Sequence, residues 1–336
     1  MKNSMIFLVC MLCAIVNAQA QQKFNVQNRT KTEFYDDLET AVQKAVSGDT
    51  IYLPGRVIQV ENDVIIDKKL AIIGAGCDVD SIGGLQTTEI KKGTGYATIN
   101  FRNGSNCSLL TGCIVGTIQF GHNNEYNEPQ QNIQNVTIWR NKINNDSYLG
   151  VSVTNNQVKQ IIVSENILRG SIFANRASEC IINNNLVASY INSLKDSRIY
   201  NNVSSVNSLE GCTVENNFIR NLSMGSNSSY NNNAFGGNYT FSSGSNNGSN
   251  NLMGQTTQQT FEVNDLNYPK NLKIRDTSPC KNAGTDGTDI GIFGGPAPYK
   301  AGAVPFNPHI TRSAISAQTD KDGKIKVDIQ VSAQTR

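Results

Sequence analysis

IIVSENIL, residues 161–168, is one copy of a pattern that recurs from about residue 110 to 253. Its Asn166 stands three residues after Val163 and two before Leu168. Further copies are VTIWRNKI (136–143), CIINNNLV (180–187), SRIYNNVS (197–204), CTVENNFI (212–219) and SSYNNNAF (228–235), while SLLTGCIV (108–115) has Cys113 in the asparagine place. The register positions 113, 141, 166, 185, 202, 217 and 233 are separated by 28, 25, 19, 17, 15 and 16 residues. A period this short excludes stacked helix pairs and marks a solenoid of short strands.

Within one copy, Ile161 and Val163, or Cys212 and Val214, alternate with a period of two, as a strand with one buried face does. The chain must then turn sharply, and asparagine is the side chain after glycine that best tolerates the left-handed backbone region. Asn141, Asn166, Asn185, Asn202, Asn217 and Asn233 are therefore expected in that conformation. Stacked along an axis, their amides can hydrogen-bond one another and satisfy polar groups that would otherwise be buried unpaired. This assigns them to the scaffold and not to catalysis.

The chain of 336 residues, with 7% aromatics and 17% charged residues, suits one elongated domain that grows coil by coil. Residues 223–251 are rich in asparagine, serine and glycine, yet Tyr230, Phe235, Tyr239 and Phe241 fall within them, so a polar coil is expected there. Lys2, the apolar run Met5 to Val16 and Ala18-Gln19-Ala20 read as a cleavable export signal over residues 1–20, too short to span a bilayer. Loss of Lys2 takes the formal charge from +2 to +1. With no basic block elsewhere, nucleic acid and anionic membrane are poor partners. The expected product is exported, in the periplasm, on the cell surface or outside the cell, with no transmembrane segment after cleavage. A monomer is expected.

Six cysteines follow the signal. Cys180 and Cys212 each lie five residues before their asparagine but two coils apart, about 10 Å at a coil rise of about 4.8 Å, beyond the roughly 7 Å a disulfide spans. They are expected as free, buried, small apolar residues. A Cys107–Cys113 pair stays open, as do Cys77 and Cys280. No zinc cluster is expected, since C-x-x-C is missing after the signal.

Upstream, EFYDDLETAVQKAV (33–46) places Phe34, Leu38, Ala41, Val42 and Ala45 on one helical face, ending at Ser47-Gly48. GDTIYLPG (48–55), VENDVIID (60–67) and KKLAIIGAG (68–76) follow. Gly74-Ala75-Gly76 reads as a coil corner, not a nucleotide loop, because no amphipathic helix follows it. A helix can protect the open end of a strand stack. These segments together resemble the opening of pectin-lyase-like right-handed parallel β-helix proteins, and SPCKNAGTDGTDIGIFGGP (278–296) is similar to the closing coil of secreted β-helix proteins of the Bacteroidetes type. The resemblance covers roughly residues 33 to 300.

The expected fold is thus all-β: a right-handed parallel β-helix solenoid with an N-terminal capping helix and a C-terminal strand tail. Its segments are 1–20 signal peptide, 21–47 N-terminal segment with the helix, 48–300 parallel β-helix and 301–336 tail. In the tail, KIKVDIQVS (324–332) reads as a strand expected to pack along the solenoid or cover its end. Asp286-Gly287-Thr288-Asp289 is read as turn chemistry before calcium.

What could be chemical is found where the period stretches. The 28- and 25-residue intervals hold insertions of roughly ten residues, which on successive coils emerge at adjacent edges. The first carries His122, Glu125, Tyr126 and Glu128, the second Asp146 and Tyr148, with Trp139, Arg140 and Arg169 nearby. Aromatic, acidic and basic groups together can stack a sugar ring and bond its hydroxyls; the plainer alternative is that these loops merely pack on the coil edge.

The resemblance implies polysaccharide lyases, hydrolases, esterases or noncatalytic surface proteins, and fold alone does not choose. No clustered acidic strand face, glycosidase motif or esterase arginine–aspartate set is found, although Glu165 and Asp146 are candidates for a carboxylate pair. The leading expectation is a noncatalytic polysaccharide-binding or interaction protein. The enzymatic alternative is a lyase that cleaves uronate glycans by β-elimination, with Tyr126, His122, Arg140 and Arg169 as candidate bases or carboxylate neutralisers. An envelope spacer is a third reading. No cofactor is expected, with calcium left open.

Overall fold

The computed structural model describes residues 23–78, 87–121, 131–148, 157–174, 177–241, 245–265, 267–300, 309–316, 318–319 and 321–332. Strands that precede the ladder positions stack in parallel into one long sheet. Its inward column runs through Ile51, Ile72, Leu110, Ile138, Val163, Ile182, Ile199, Val214 and Tyr230 by direct pairing. After the corner the chain enters a second sheet, in which Lys142–Ile143, Ile167–Leu168, Leu186–Asn192, Val203–Asn207, Phe218–Ser223 and Ala234–Phe235 pair in succession. A short third face pairs Asn132–Gln134 with Gln157–Lys159 and continues as single bridges through Ser178, Lys195, Glu210 and Ser226. The result is an all-β architecture of long parallel sheets, compatible with a parallel β-helix.

Aliphatic residues at the inward positions hold the sheets together, each worth about 1.5–3 kcal/mol when fully buried. Ile138, Val163, Ile182, Ile199 and Val214 all lie in one continuous core with Ile118, Phe101 and Phe120 from the second sheet. The segment 223–251 contributes to the same core through Tyr230, Phe235 and Phe241, whose rings lie 5.0 to 6.5 Å apart.

The asparagine ladder is present and one rung longer than expected. Asn185 accepts at Oδ1 from the backbone N–H and Nδ2 of Asn166 at 2.9 and 3.1 Å, and donates from Nδ2 to Val163 O, Asn183 O and Asn202 Oδ1 at 2.8, 2.9 and 3.0 Å. The same bonding passes through Asn202, Asn217 and Asn233 to Asn251. At the other end the Cys113 N–H donates to Asn141 Oδ1 at 3.1 Å, so Cys113 does occupy an asparagine place.

The conformational role differs from expectation. The left-handed residue is the one before each ladder asparagine: Arg140, Glu165, Asn184, Asn201, Asn216 and Asn232, with φ from 53° to 57°. Turning at that residue swings the next side chain inward, and this inward swing lets Asn166 and its equivalents reach the carbonyls of the neighbouring coil. The corner thus has two side-chain columns, an inner one that is amide from Asn141 to Asn251, preceded by Cys113, and an outer one that varies.

At the amino end, Phe24–Gln27 pairs antiparallel with the first parallel strand, Thr50–Tyr52, and with Thr32–Tyr35. Leu38–Lys44 is a helix whose Asp37 cap accepts the Thr40 N–H at 2.7 Å and whose Leu38, Ala41 and Val42 are buried. Phe34 does not join that face. The Asp37 cap starts the helix after it, and Phe34 sits in a strand, 62% exposed.

Beyond the last parallel strand, Asn247–Ser249, the chain runs back over the second sheet. The outward column Ile167, Leu186, Val203, Phe218 and Ala234 is buried by Phe261, Leu272, Ile274, Cys280, Ile290, Ile292 and Tyr299. Outer-column asparagines hold this returning strap. Asn184 Nδ2 donates to Ile292 O and Gly294 O, both at 2.9 Å, and Asn216 exchanges two hydrogen bonds of 2.9 Å with Thr285. Within the strap Asp286 accepts from the Thr288 N–H and hydroxyl, which lowers its carboxyl below the usual range, as a turn residue. The tail forms a separate hairpin of His309–Ile315 and Val327–Ser332. Ile325, Val327, Ile329 and Val331 there are 51–57% exposed.

All six cysteines from Cys77 to Cys280 are free thiols. Cys180 and Cys212 are buried with Ser197 between them in the same column, which explains why they do not pair. Burial pushes both thiols up to about 11.

Candidate functional site

The residues singled out from the sequence divide between two corners of the coil. Trp139, Arg140 and Glu165 belong to the asparagine corner. Arg140 Nε donates to Glu165 Oε2 at 2.9 Å, Trp139 Nε1 donates to Glu165 Oε1 at 2.9 Å, and the guanidinium lies 4.5 Å from the Trp139 ring centroid. Arg140 and Glu165 are 1% and 4% exposed. A charge pair so far from water holds only when both partners and their remaining hydrogen bonds are in place. Glu165 is thereby committed to two donors, whereas Asp146 accepts the Ser171 N–H, so the two carboxylates belong to separate hydrogen-bond sets.

Asp146 and Tyr148 lie at the opposite corner. Asp146 Oδ1 accepts the Ser171 N–H at 2.6 Å, and the close approach of Gly170 leaves no room there for a Cβ. Tyr148 stacks on Phe173 of the next coil with centroids 5.6 Å apart and planes 15° apart. Both face outward in a register row that runs Asn100, Gln119, Tyr148, Phe173, Asn192 and Asn207. An aromatic pair thus sits within a line of amides. Tyr148 is 36% exposed, enough to meet a ligand without leaving the sheet.

Both insertions lead directly into the short third face. The strand Asn132–Gln134 follows the first, Gln157–Lys159 follows the second, and the two strands pair in parallel with Asn132 opposite Gln157. A pocket of about 180 Å³ opens here, lined by Asn106, Asn132, Ile133, Gln134, Gln157 and Lys159. Its donors and acceptors are neutral amides with one ammonium group. Along the chain, the strands of the aromatic row precede residues 122–130 and 149–156, and the strands that line this pocket follow them.

Arg169 is exposed after the Ile167–Leu168 strand, and its backbone N–H donates to Ile143 O at 2.9 Å. His122, Glu125, Tyr126 and Glu128 lie outside the described residues. Phe173 and the amides of the pocket are additions to the residues picked from sequence. Their signal was position, because Asn132–Gln134 and Gln157–Lys159 lie within the two long intervals, shortly before the next repeat copy.

No group of three or more histidine, cysteine, aspartate or glutamate side chains gathers to hold a metal among the described residues. Among the described residues, no helix is long and apolar enough to cross a membrane. No family model matches the chain, and no curated protein matches it.

Proposed function

We propose that this protein is an exported, noncatalytic polysaccharide-binding module, a right-handed parallel β-helix of the pectin-lyase-like type that engages glycan at the insertion corner. The observation that carries the reading is the placement of an outward Tyr148–Phe173 stack and an amide-lined pocket on the two sides of that corner. Ring faces suit the apolar side of a pyranose, and amides suit its hydroxyls. The helix Leu38–Lys44 acts with the first strands as the cover of the amino end. Arg140 and Glu165 are occupied with each other, which withdraws them from acid–base work and weakens the lyase alternative.

The test is retention of the mature protein on immobilised neutral and uronate glycans, with and without calcium, while absorbance of unsaturated product is followed. Retention without product, with Kd raised about tenfold by Tyr148→Ala, the equivalent of roughly 1.4 kcal/mol, supports the reading. Product formation, or retention indifferent to Tyr148→Ala, contradicts it.

A further inference from the structure

The outward column that the strap covers is apolar from Ala234 back to Ile167 and then reaches Lys142, which pairs directly with Ile167. A lysine is a costly choice for a column that lies under another layer of chain. The strap does not close over it. A pocket of about 110 Å³ remains, walled by Lys142, Ile167, Cys77 and Asp78 from the coils and by Asn267, Tyr268, Pro269, Lys270 and Tyr299 from the strap. Tyr299 is 3% exposed, and its hydroxyl has no hydrogen-bond partner among the described residues.

We propose that this pocket is a second binding site, distinct from the insertion corner, for a small hydroxylated carboxylate about the size of one acidic sugar ring. Lys142 supplies charge for the carboxylate, and the Tyr299 hydroxyl supplies the neutral donor whose own bond is otherwise missing. Ile167 and Pro269 give the ring body an apolar wall. Asp78 offsets one of the two lysines, so the lining carries a formal charge of +1 and fits a monoanion better than a phosphate dianion. Burial and the nearby Cys77 and Asp78 raise the Tyr299 phenol well above its ordinary value, which keeps it protonated and able to donate. The strap builds half of the walls, so the site exists only when residues 267–299 are docked. The inference does not rest on the glycan-binding reading.

Calorimetric titration of the full chain with glucuronate, glucose and inorganic phosphate tests this. The expected result is one glucuronate per chain, bound at least about tenfold tighter than glucose or phosphate and weakened at least about tenfold by Lys142→Met and by Tyr299→Phe. Tyr299→Phe keeps the packing of the ring, and an unchanged melting temperature shows that its effect is on the ligand. Absence of glucuronate binding, equal or tighter binding of glucose or phosphate, or undiminished binding by folded Lys142→Met and Tyr299→Phe proteins overturns the proposal.

Discussion

The two corners of the coil are built from similar residue types and do opposite things with them. At the asparagine corner every ladder amide from Asn141 to Asn233 is spent inside the fold, and even the Arg140–Glu165 pair is closed off from water. At the insertion corner the amides of Asn132, Gln134 and Gln157 line open space, and Tyr148 keeps a third of its surface in solvent. Hydrogen-bonding capacity that the fold consumes is scaffold. Capacity that it leaves facing a pocket is available to a ligand.

The comparison breaks most visibly at the ladder. Asn185→Leu removes the acceptor for both Asn166 donors and takes a donor from the Val163 and Asn183 carbonyls, in a buried site where each unsatisfied group costs about 1–3 kcal/mol. A loss on the order of 5 kcal/mol is expected in urea unfolding. A neutral result would deny that the inner column carries the fold. Glu165→Ala comes next, since it removes the carboxylate that accepts from the buried Arg140 Nε, with an expected loss of about 3–5 kcal/mol. The double change Arg140→Met with Glu165→Met restores most of it if the pair is scaffold, and thermal melts of the three proteins decide.

A smaller effect follows from the thiols. Cys180 titrates near its ordinary value of 9.0 when unfolded and at about 11 when folded, because burial disfavours its thiolate. The folded state therefore keeps a proton that the unfolded state gives up. The stability this supplies is present in full below pH 9.0 and is lost as pH rises through about 11, at up to about 1.4 kcal/mol per pH unit for one such thiol. Cys180→Ala should flatten that slope in denaturant titrations between those pH values. Least of all should stability respond to Tyr148→Ala, where one half-exposed stacked ring is worth about 1 kcal/mol.

Much of the scaffold could be read from residues because its pattern is local and repeated. The alternation before Asn166 and the spacing from Asn141 to Asn233 place the sheet, the corner and the free Cys180 and Cys212 in correct register. The turn residue was displaced by one because a left-handed conformation at position 165 and an inward amide at 166 produce the same sequence signature. The strap was harder to foresee, since its partners lie far away in the chain. A local hint existed in Ile167-Leu168, Leu186-Val187 and Phe218-Ile219, consecutive apolar residues that require cover on both faces of the second sheet. Arg140 looked available for chemistry because an arginine in a solenoid is usually solvated, and only its approach to Glu165 from the next coil reveals the ion pair. The insertion corner was visible as an interval length, whereas Phe173 and the pocket amides become partners of Tyr148 only through stacking.

The most direct test of the division between the corners is glycan retention measured side by side for the wild type, Tyr148→Ala and Trp139→Phe. Retention that Tyr148→Ala weakens about tenfold is expected, while Trp139→Phe, after correction for folded fraction, retains as the wild type does. Loss of retention in folded Trp139→Phe with none in Tyr148→Ala would put the ligand at the asparagine corner and contradict it.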